Sequence, residues 1–138
     1  MDRKVLLVDD WHAVRLLGRR VLSSLGFQTR EARSRAEALE ILSAEPDILA
    51  VLLEWKPQAL DNLDLLKSLA GLSRSSRPAV IACGDRLERT QIAAALEAGA
   101  DDFIQKPYSR ETVRDKLAQL GISDPENSRQ SEPLSSSR

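Results

Sequence analysis

Segments typical of strands alternate five times with segments of helical spacing, and this alternation limits the fold more than any other feature of the chain. The strand-like segments are residues 5–8, 27–32, 48–53, 79–83 and 102–105, and the second is polar enough for a sheet edge. The stretches between them carry apolar residues at intervals of three and four, as amphipathic helices do. This order predicts a doubly wound α/β fold, with a parallel sheet covered by helices on both faces.

Capping signals locate the starts of three of the predicted helices. Ser34 and Asp85 are each followed three residues later by a glutamate, at Glu37 and Glu88. This is the capping-box pattern, in which the two side chains satisfy each other's backbone N–H groups. Ser109 precedes the last helical segment and is predicted to cap it.

Size, charge and cysteine content limit the class of protein. A chain of 138 residues that is 42% hydrophobic can bury one core as a soluble domain. Its formal net charge of −1 gives no general attraction to nucleic acid or to anionic membrane. No apolar stretch approaches the ~20 residues of a membrane span. Cys83 is the only cysteine, which favours a reducing compartment, so we expect a cytoplasmic protein that binds neither nucleic acid nor membrane.

The composition changes near the end of the chain. Beyond position 122 the residues are mainly Ser, Pro, Glu, Asn and Arg, which cannot form a packed core. We therefore expect one domain over residues 1–121 and a disordered tail or linker over residues 122–138. A DNA-binding effector is not expected, because no second domain follows Gly121.

Charged residues stand where three of the predicted strands end. Asp9 and Asp10 follow the first strand, Glu54 the third and Lys106 the fifth. The carboxyl ends of parallel strands share one edge of a sheet, where ligand sites of such folds collect. Clustered carboxylates suit a cation of the size of magnesium, and a lysine beside them suits an anion such as phosphate.

With these motifs the chain resembles the receiver domains of two-component signalling, including the single-domain chemotaxis type, over roughly residues 3 to 121. The resemblance implies a flavodoxin-like fold with the strand order 2-1-3-4-5. The motifs are Val-Asp-Asp after the first strand, Glu54-Trp-Lys and Asn62-Leu-Asp-Leu-Leu after the third, Ala98-Gly-Ala-Asp-Asp-Phe before the fifth, and Lys106-Pro107-Tyr108 after it.

The resemblance also implies roles for individual residues. In such domains two acids hold magnesium, an aspartate after the third strand accepts a phosphoryl group, and a lysine neutralises it. Asp9 and Asp10 match the acid pair, and Lys106 matches the lysine. The backbone carbonyl of Lys56 is the expected further metal ligand, and Phe103 takes the position of the aromatic residue that reports on switching.

Two residues depart from the family pattern. Glu54 stands where the phosphate-accepting aspartate is expected, and Gly84 stands where a Ser or Thr hydroxyl is usual. The extra methylene of glutamate moves the carboxylate by about 1.5 Å, and a misplacement near 1 Å costs about 100-fold in an oriented transfer. The missing hydroxyl removes a hydrogen bond to the anion of about 1.5–3 kcal/mol. We expect only weak magnesium binding, through Asp9, Asp10, Glu54 and the carbonyl of Lys56.

These departures predict an atypical receiver that is not an enzyme and binds another signalling protein without phosphorylation. The expected partner is a histidine kinase or a downstream effector. The resemblance implies a docking face on the fourth helix, the fifth strand and the fifth helix, which here means Glu88 to Ala98, Phe103, and Ser109 to Leu120. We expect the Phe103 ring to turn inward. Two alternatives stay open: a phosphoacceptor loaded by a histidine kinase, and a constitutively active domain in which Glu54 imitates phosphate by approaching Lys106.

Several other residues have simpler interpretations. His12 is expected to be exposed in the first helical turn, and Cys83 to be a small buried hydrophobe. Trp11 and Trp55 each follow an acid of the site, and either shield it or stack against a ligand. The arginines at positions 15, 19 and 20 share one helical side, which we interpret as a solvated face.

Overall fold

Five strands and five helices alternate along the described part of the chain. The structure is a computed structural model that describes residues 3–56, 60–72, 77–85 and 88–123, without the side chains of residues 60 and 61. The elements, in chain order, are β1 (Lys4–Val8), α1 (His12–Ser24), β2 (Gln28–Ala32), α2 (Arg35–Ala44), β3 (Ile48–Glu54), α3 (Leu60–Ala70), β4 (Ala79–Gly84), α4 (Arg89–Ala98), β5 (Asp102–Gln105) and α5 (Arg110–Gln119).

The strands form one parallel sheet in the order β2-β1-β3-β4-β5, which confirms the predicted topology. In this order β1 and β3 lie side by side near the centre, because the chain crosses over β1 after β2. Val8 at the end of β1 pairs with Leu53, and Glu54 pairs with Cys83 of β4. The register therefore brings the carboxyl ends of three strands to one edge.

Two apolar layers cover the two faces of the sheet, because successive side chains of a strand point to opposite faces. On one face Val51 and Leu53 pack with residues of α2, α3 and α4, and we call this the first core cluster. On the other face Ala50 and Leu52 pack with residues of α1 and α5, in the second core cluster. Since both faces are covered, the inner strands β1, β3 and β4 are mostly apolar, as parallel strands usually are, whereas the edge strand β2 is polar, as predicted.

Helix starts follow the predicted caps in two of three cases. The Ser34 hydroxyl accepts the Glu37 N–H at 3.2 Å. The Ser109 hydroxyl accepts the N–H of the third residue of α5, also at 3.2 Å. The prediction for the fourth helix is wrong, because α4 begins at Arg89, with Glu88 as its N-cap. The Glu88 N–H donates to Gln91 Oε1 at 3.1 Å, so the reciprocal pair forms one turn later than expected.

Residues 124–138, which make up most of the predicted tail, lie outside the described part of the chain, so the expectation of disorder stays a prediction. Within the described ranges, no helix combines the length and the apolar character that crossing a membrane requires.

Candidate functional site

Asp9 lies buried at the carboxyl end of β1 with both carboxylate oxygens bonded. Its Oδ2 accepts a hydrogen bond from Lys106 Nζ at 2.6 Å, and its Oδ1 accepts the Trp11 N–H at 3.0 Å. The side chains of Asp9 and Lys106 are only 3% and 7% exposed. The first and fifth strands are thus joined by a short, buried ion pair, which water screens weakly.

Arg15 holds the chain segment that leads out of β1. Its Nη1 donates to the carbonyl oxygen of Asp9 at 2.7 Å, and its Nε donates to Glu31 at 3.2 Å. Arg15 is buried, so the prediction that it belongs to a solvated face is wrong. Its neighbours Arg19 and Arg20 are exposed, as predicted. Arg15 therefore stabilises the site indirectly, by fixing the backbone that carries Asp9.

Glu54 is the last residue of β3, and both of its carboxylate oxygens also have partners. Oε1 lies 2.5 Å from Lys56 Nζ, and Oε2 accepts the Asp10 N–H at 3.3 Å. The phosphate-imitating alternative directs the Glu54 carboxylate toward Lys106, but Lys106 pairs with Asp9 instead. Lys56 is only two residues away along the chain, so its side chain can reach the Glu54 carboxylate without any contact between distant parts of the chain.

The three acids meet as predicted. Asp9, Asp10 and Glu54 each offer a carboxylate oxygen, and these oxygens lie within 4.8 Å of one another. Asp10 is exposed, and its Oδ1 lies 3.8 Å from Lys56 Nζ. The fold also brings the ammonium of Lys56 to these acids, while the role of the Lys56 carbonyl as a metal ligand stays a prediction. The oxygen set suits a hard cation, and the ammonium competes for the same oxygens.

Burial and charge act in opposite directions on the Glu54–Lys56 pair. Burial raises the pKa of the Glu54 carboxyl above its usual value, with the nearby Asp9 charge adding to the effect, although the hydrogen bond from Lys56 acts against it. The pKa of Lys56 is also raised, mainly by its hydrogen bond to Glu54. Glu54 is the buried member of the pair and Lys56 is 42% exposed. The charged form of Glu54 therefore needs its partner more than the charged form of Lys56 does, because water solvates the lysine but not the carboxylate.

Backbone contacts fix the end of β3. Asn62 of α3 donates from Nδ2 to the carbonyl oxygen of Glu54 at 2.6 Å, and the Trp55 N–H donates to the carbonyl oxygen of Cys83 at 2.7 Å. In the sequence, Asn62 was noted only as the first residue of the Asn62-Leu-Asp-Leu-Leu motif. An amide at the start of a helix that follows a site strand is a signal that could have indicated this anchor.

A small cleft of about 80 Å³ opens between these side chains. Gly84 forms the end of β4 and contributes no hydroxyl, while its carbonyl accepts the Lys106 N–H at 2.7 Å. Trp11 is 64% exposed at the cleft, and Trp55 is buried in the first core cluster. His12 is exposed at the start of α1, as predicted. The lining residues are Asp9, Trp11, Val14, Glu54, Lys56, Asp85 and Lys106.

Phe103 of β5 is half-buried. The ring packs against the first core cluster, which agrees with the expected inward direction, but it is not fully enclosed. Lys116 of α5 places its ammonium 4.7 Å from the ring centroid and pairs with Asp102 at 3.0 Å. A cation held over the ring favours one position for the aromatic side chain.

Cys83 is fully buried in β4, within the second core cluster, as the sequence suggested. Burial raises the pKa of its thiol to about 12. The reactive thiolate is therefore scarce near neutral pH, which supports the structural interpretation of this residue.

Comparison with known proteins agrees with the fold. A family model described as the response regulator receiver domain matches residues 5–118. The chain is 31% identical to chemotaxis protein CheY1 of Helicobacter pylori over 123 residues, which cover 88% of this chain and 99% of that protein. It is 36% identical to the regulatory protein VirG of Agrobacterium tumefaciens over 121 residues, which cover 87% of this chain and 43% of VirG.

A solved structure shows the same architecture. A response regulator from Thermotoga maritima superposes with a TM-score of 0.75 at 21% identity, covering 87% of this chain and 98% of that one. The family model accounts for most of the chain, and the sheet order is the one that the resemblance implied. The chain therefore belongs to the response regulator receiver domain family of two-component signalling.

Proposed function

We propose that this receiver works without phosphorylation, as a cytoplasmic protein-binding module of two-component signalling that is not an enzyme. The observation that carries the proposal is the bonding of Glu54. Both of its carboxylate oxygens are occupied, one by Lys56 Nζ at 2.5 Å and the other by the Asp10 N–H at 3.3 Å. Each oxygen keeps a second lone pair, but an attacking oxygen must also be aligned with the phosphoryl donor, and these two bonds hold the carboxylate in another orientation.

The surroundings of Glu54 support the same conclusion. By its place at the end of β3, Glu54 corresponds to the phosphate-accepting aspartate of the family. A phosphoryl group on it would have to displace the ammonium of Lys56, and Gly84 offers no hydroxyl to receive the new anion. The Lys56 ammonium and the missing hydroxyl would each slow phosphoryl transfer or weaken binding of the phosphoryl group. Together they remove the contacts that would stabilise a phosphorylated form relative to the free one.

The phosphate-imitating alternative has less support. An imitation of phosphate should direct its carboxylate to the family's lysine, but Lys106 is bonded to Asp9 at 2.6 Å. A built-in active signal through Glu54 and Lys106 would require both existing pairs to exchange partners. The other alternative, a phosphoacceptor loaded by a histidine kinase, is favoured by one observation: Asp9, Asp10 and Lys106 are all present at the cleft.

The metal site and the domain limits are further parts of the proposal. We assign weak, millimolar magnesium affinity to Asp9, Asp10, Glu54 and the carbonyl of Lys56. The carboxylate group supports the assignment, while the competing ammonium limits its strength. We also retain residues 1–121 as the receiver unit and residues 122–138 as a tail or linker, with Ile122, the first residue of that tail, packed in the second core cluster.

The partner is a histidine kinase or an effector, and the proposed docking face consists of α4, β5 and α5. Leu96 of α4 supports this choice, because it is a large apolar residue that is 43% exposed on the face. Leu72 is exposed to a similar extent, 47%, but follows α3 outside the face, so it provides a matched control.

We expect Leu96→Glu to weaken partner binding at least about tenfold, because it places a charge in an apolar contact. Leu72→Glu and Glu54→Gln should each change the dissociation constant less than about twofold. The measurement is calorimetry or surface plasmon resonance against purified kinases and response regulators of the source organism. Binding that collapses with Glu54→Gln would favour the phosphate-imitating alternative, and equal effects of the two leucine changes would exclude the proposed face.

A further inference from the structure

The ammonium of Lys56 lies among the acids where a receiver would hold its metal. Nζ is 2.5 Å from Glu54 Oε1 and 3.8 Å from Asp10 Oδ1. The nearest oxygens of Asp9, Asp10 and Glu54 lie within 4.8 Å of one another, so one positive charge touches a group that a single ion could bridge. The ammonium of Lys56 is therefore placed where it can neutralise the acids of the site.

Charge balance at the site points the same way. When all five groups are ionised, three carboxylates against the ammonium groups of Lys56 and Lys106 leave one net negative charge. A dication added to this set would make the site net positive, unless one lysine left. Lys106 is 7% exposed and held by Asp9, whereas Lys56 is 42% exposed, so Lys56 is the lysine whose side chain borders water.

We propose that Lys56 is a tethered cation that takes the place of the divalent metal in this receiver. The acids are compensated from within the chain, so the site keeps its arrangement without metal. Magnesium enters only when the Lys56 side chain turns away from Glu54 and Asp10. The inference extends the proposed function by giving the cause of weak metal affinity, and its test needs no phosphodonor and no partner.

The test is removal of the Lys56 charge, with magnesium itself as the probe. We expect Lys56→Met to tighten magnesium binding at least about tenfold over the wild type, because the lysine ammonium no longer competes with magnesium for the same carboxylate oxygens. Lys56→Arg restores the charge and should bind as weakly as the wild type. Lys67→Met removes a lysine that is exposed in the last turn of α3, away from the site, and should leave the affinity unchanged.

Two readouts follow the binding: calorimetric titration, and the magnesium dependence of the thermal unfolding midpoint, which rises only when the folded state binds the metal. Trp11, exposed at the cleft, supplies a fluorescence signal as well. Far-UV circular dichroism without metal checks that each variant is folded. Lys56→Gln repeats the neutralisation if the methionine variant does not fold.

The expected pattern is tight binding by the neutral variants and weak binding by the wild type, Lys56→Arg and Lys67→Met. The proposal is overturned if the neutral Lys56 variants bind magnesium within twofold of the wild type. It is equally overturned if the wild type already binds at micromolar concentration. Phosphorylation of the wild type would remove the proposed function but leave this result unaffected, so failure of the one is distinguishable from failure of the other.

Discussion

Lys106→Met should lower the free energy of unfolding by about 3–5 kcal/mol, because it leaves the buried carboxylate of Asp9 without its counter-ion. The Asp9–Lys106 pair has a distance of 2.6 Å, and both side chains are less than a tenth exposed. Desolvation of such a carboxylate is offset only while the lysine is present. Urea denaturation at neutral pH, followed by circular dichroism, measures the change.

Two controls separate this effect from a general loss of charge. Lys67→Met removes an exposed lysine and should change the stability by less than about 0.5 kcal/mol. Combining Asp9→Asn with Lys106→Met removes both charges, and this double variant should be more stable than Lys106→Met alone. A loss below about 1 kcal/mol in the single variant would mean that Asp9 is well solvated, contrary to its burial.

Gly99→Ala should destabilise the protein by about 2–4 kcal/mol, through backbone strain and a steric clash together. Gly99 ends α4 with φ of +121°, a region that L side chains rarely adopt. A Cβ there would lie 2.6 Å from the Cβ of Ala70 at the end of α3. Neither residue has a flexible side chain that could move aside, so the backbone must shift.

Gly121→Ala is the matched control for this prediction. Gly121 also has a positive φ, of +85°, but an added Cβ would meet none of the atoms described within 4 Å. Substitution of Gly121 therefore measures only the cost of the positive φ, about 1 kcal/mol. Equal losses in the two variants, measured by the same denaturation, would show that the contact with Ala70 is relieved without cost.

The sheet was predictable because it depends on long, strong patterns. Apolar runs such as residues 48–53 and the helical spacing between such runs leave few arrangements that bury both kinds of surface. The convergence of the acids followed from strand direction alone. The start of α4 was misjudged because Asp85 and Glu88 both match a capping pattern, and the choice depends on which backbone N–H groups are free after β4.

The partners of the charges could not be read from the sequence. Asp9 and Glu54 could each pair with either Lys56 or Lys106. Which pair forms depends on differences of a few ångströms in the positions of the side-chain ends, and the sequence does not contain these positions. The burial of Arg15 was missed for a similar reason. Arg15 shares a charged side of α1 with Arg19 and Arg20, but it lies in the first turn of the helix, where its guanidinium reaches the Asp9 carbonyl. Sequence spacing locates such residues on an element but does not say which polar group each one reaches.

The central claim, that this receiver does not accept phosphate at Glu54, is tested most directly by the intact mass of the purified protein after incubation with acetyl phosphate and magnesium. We expect no gain of a phosphoryl group in the wild type, little gain in Glu54→Asp, and a larger gain when Gly84→Thr is added, because the hydroxyl then receives the anion. A wild-type protein that gains one phosphoryl group, and loses that gain with Glu54→Gln, would contradict the account.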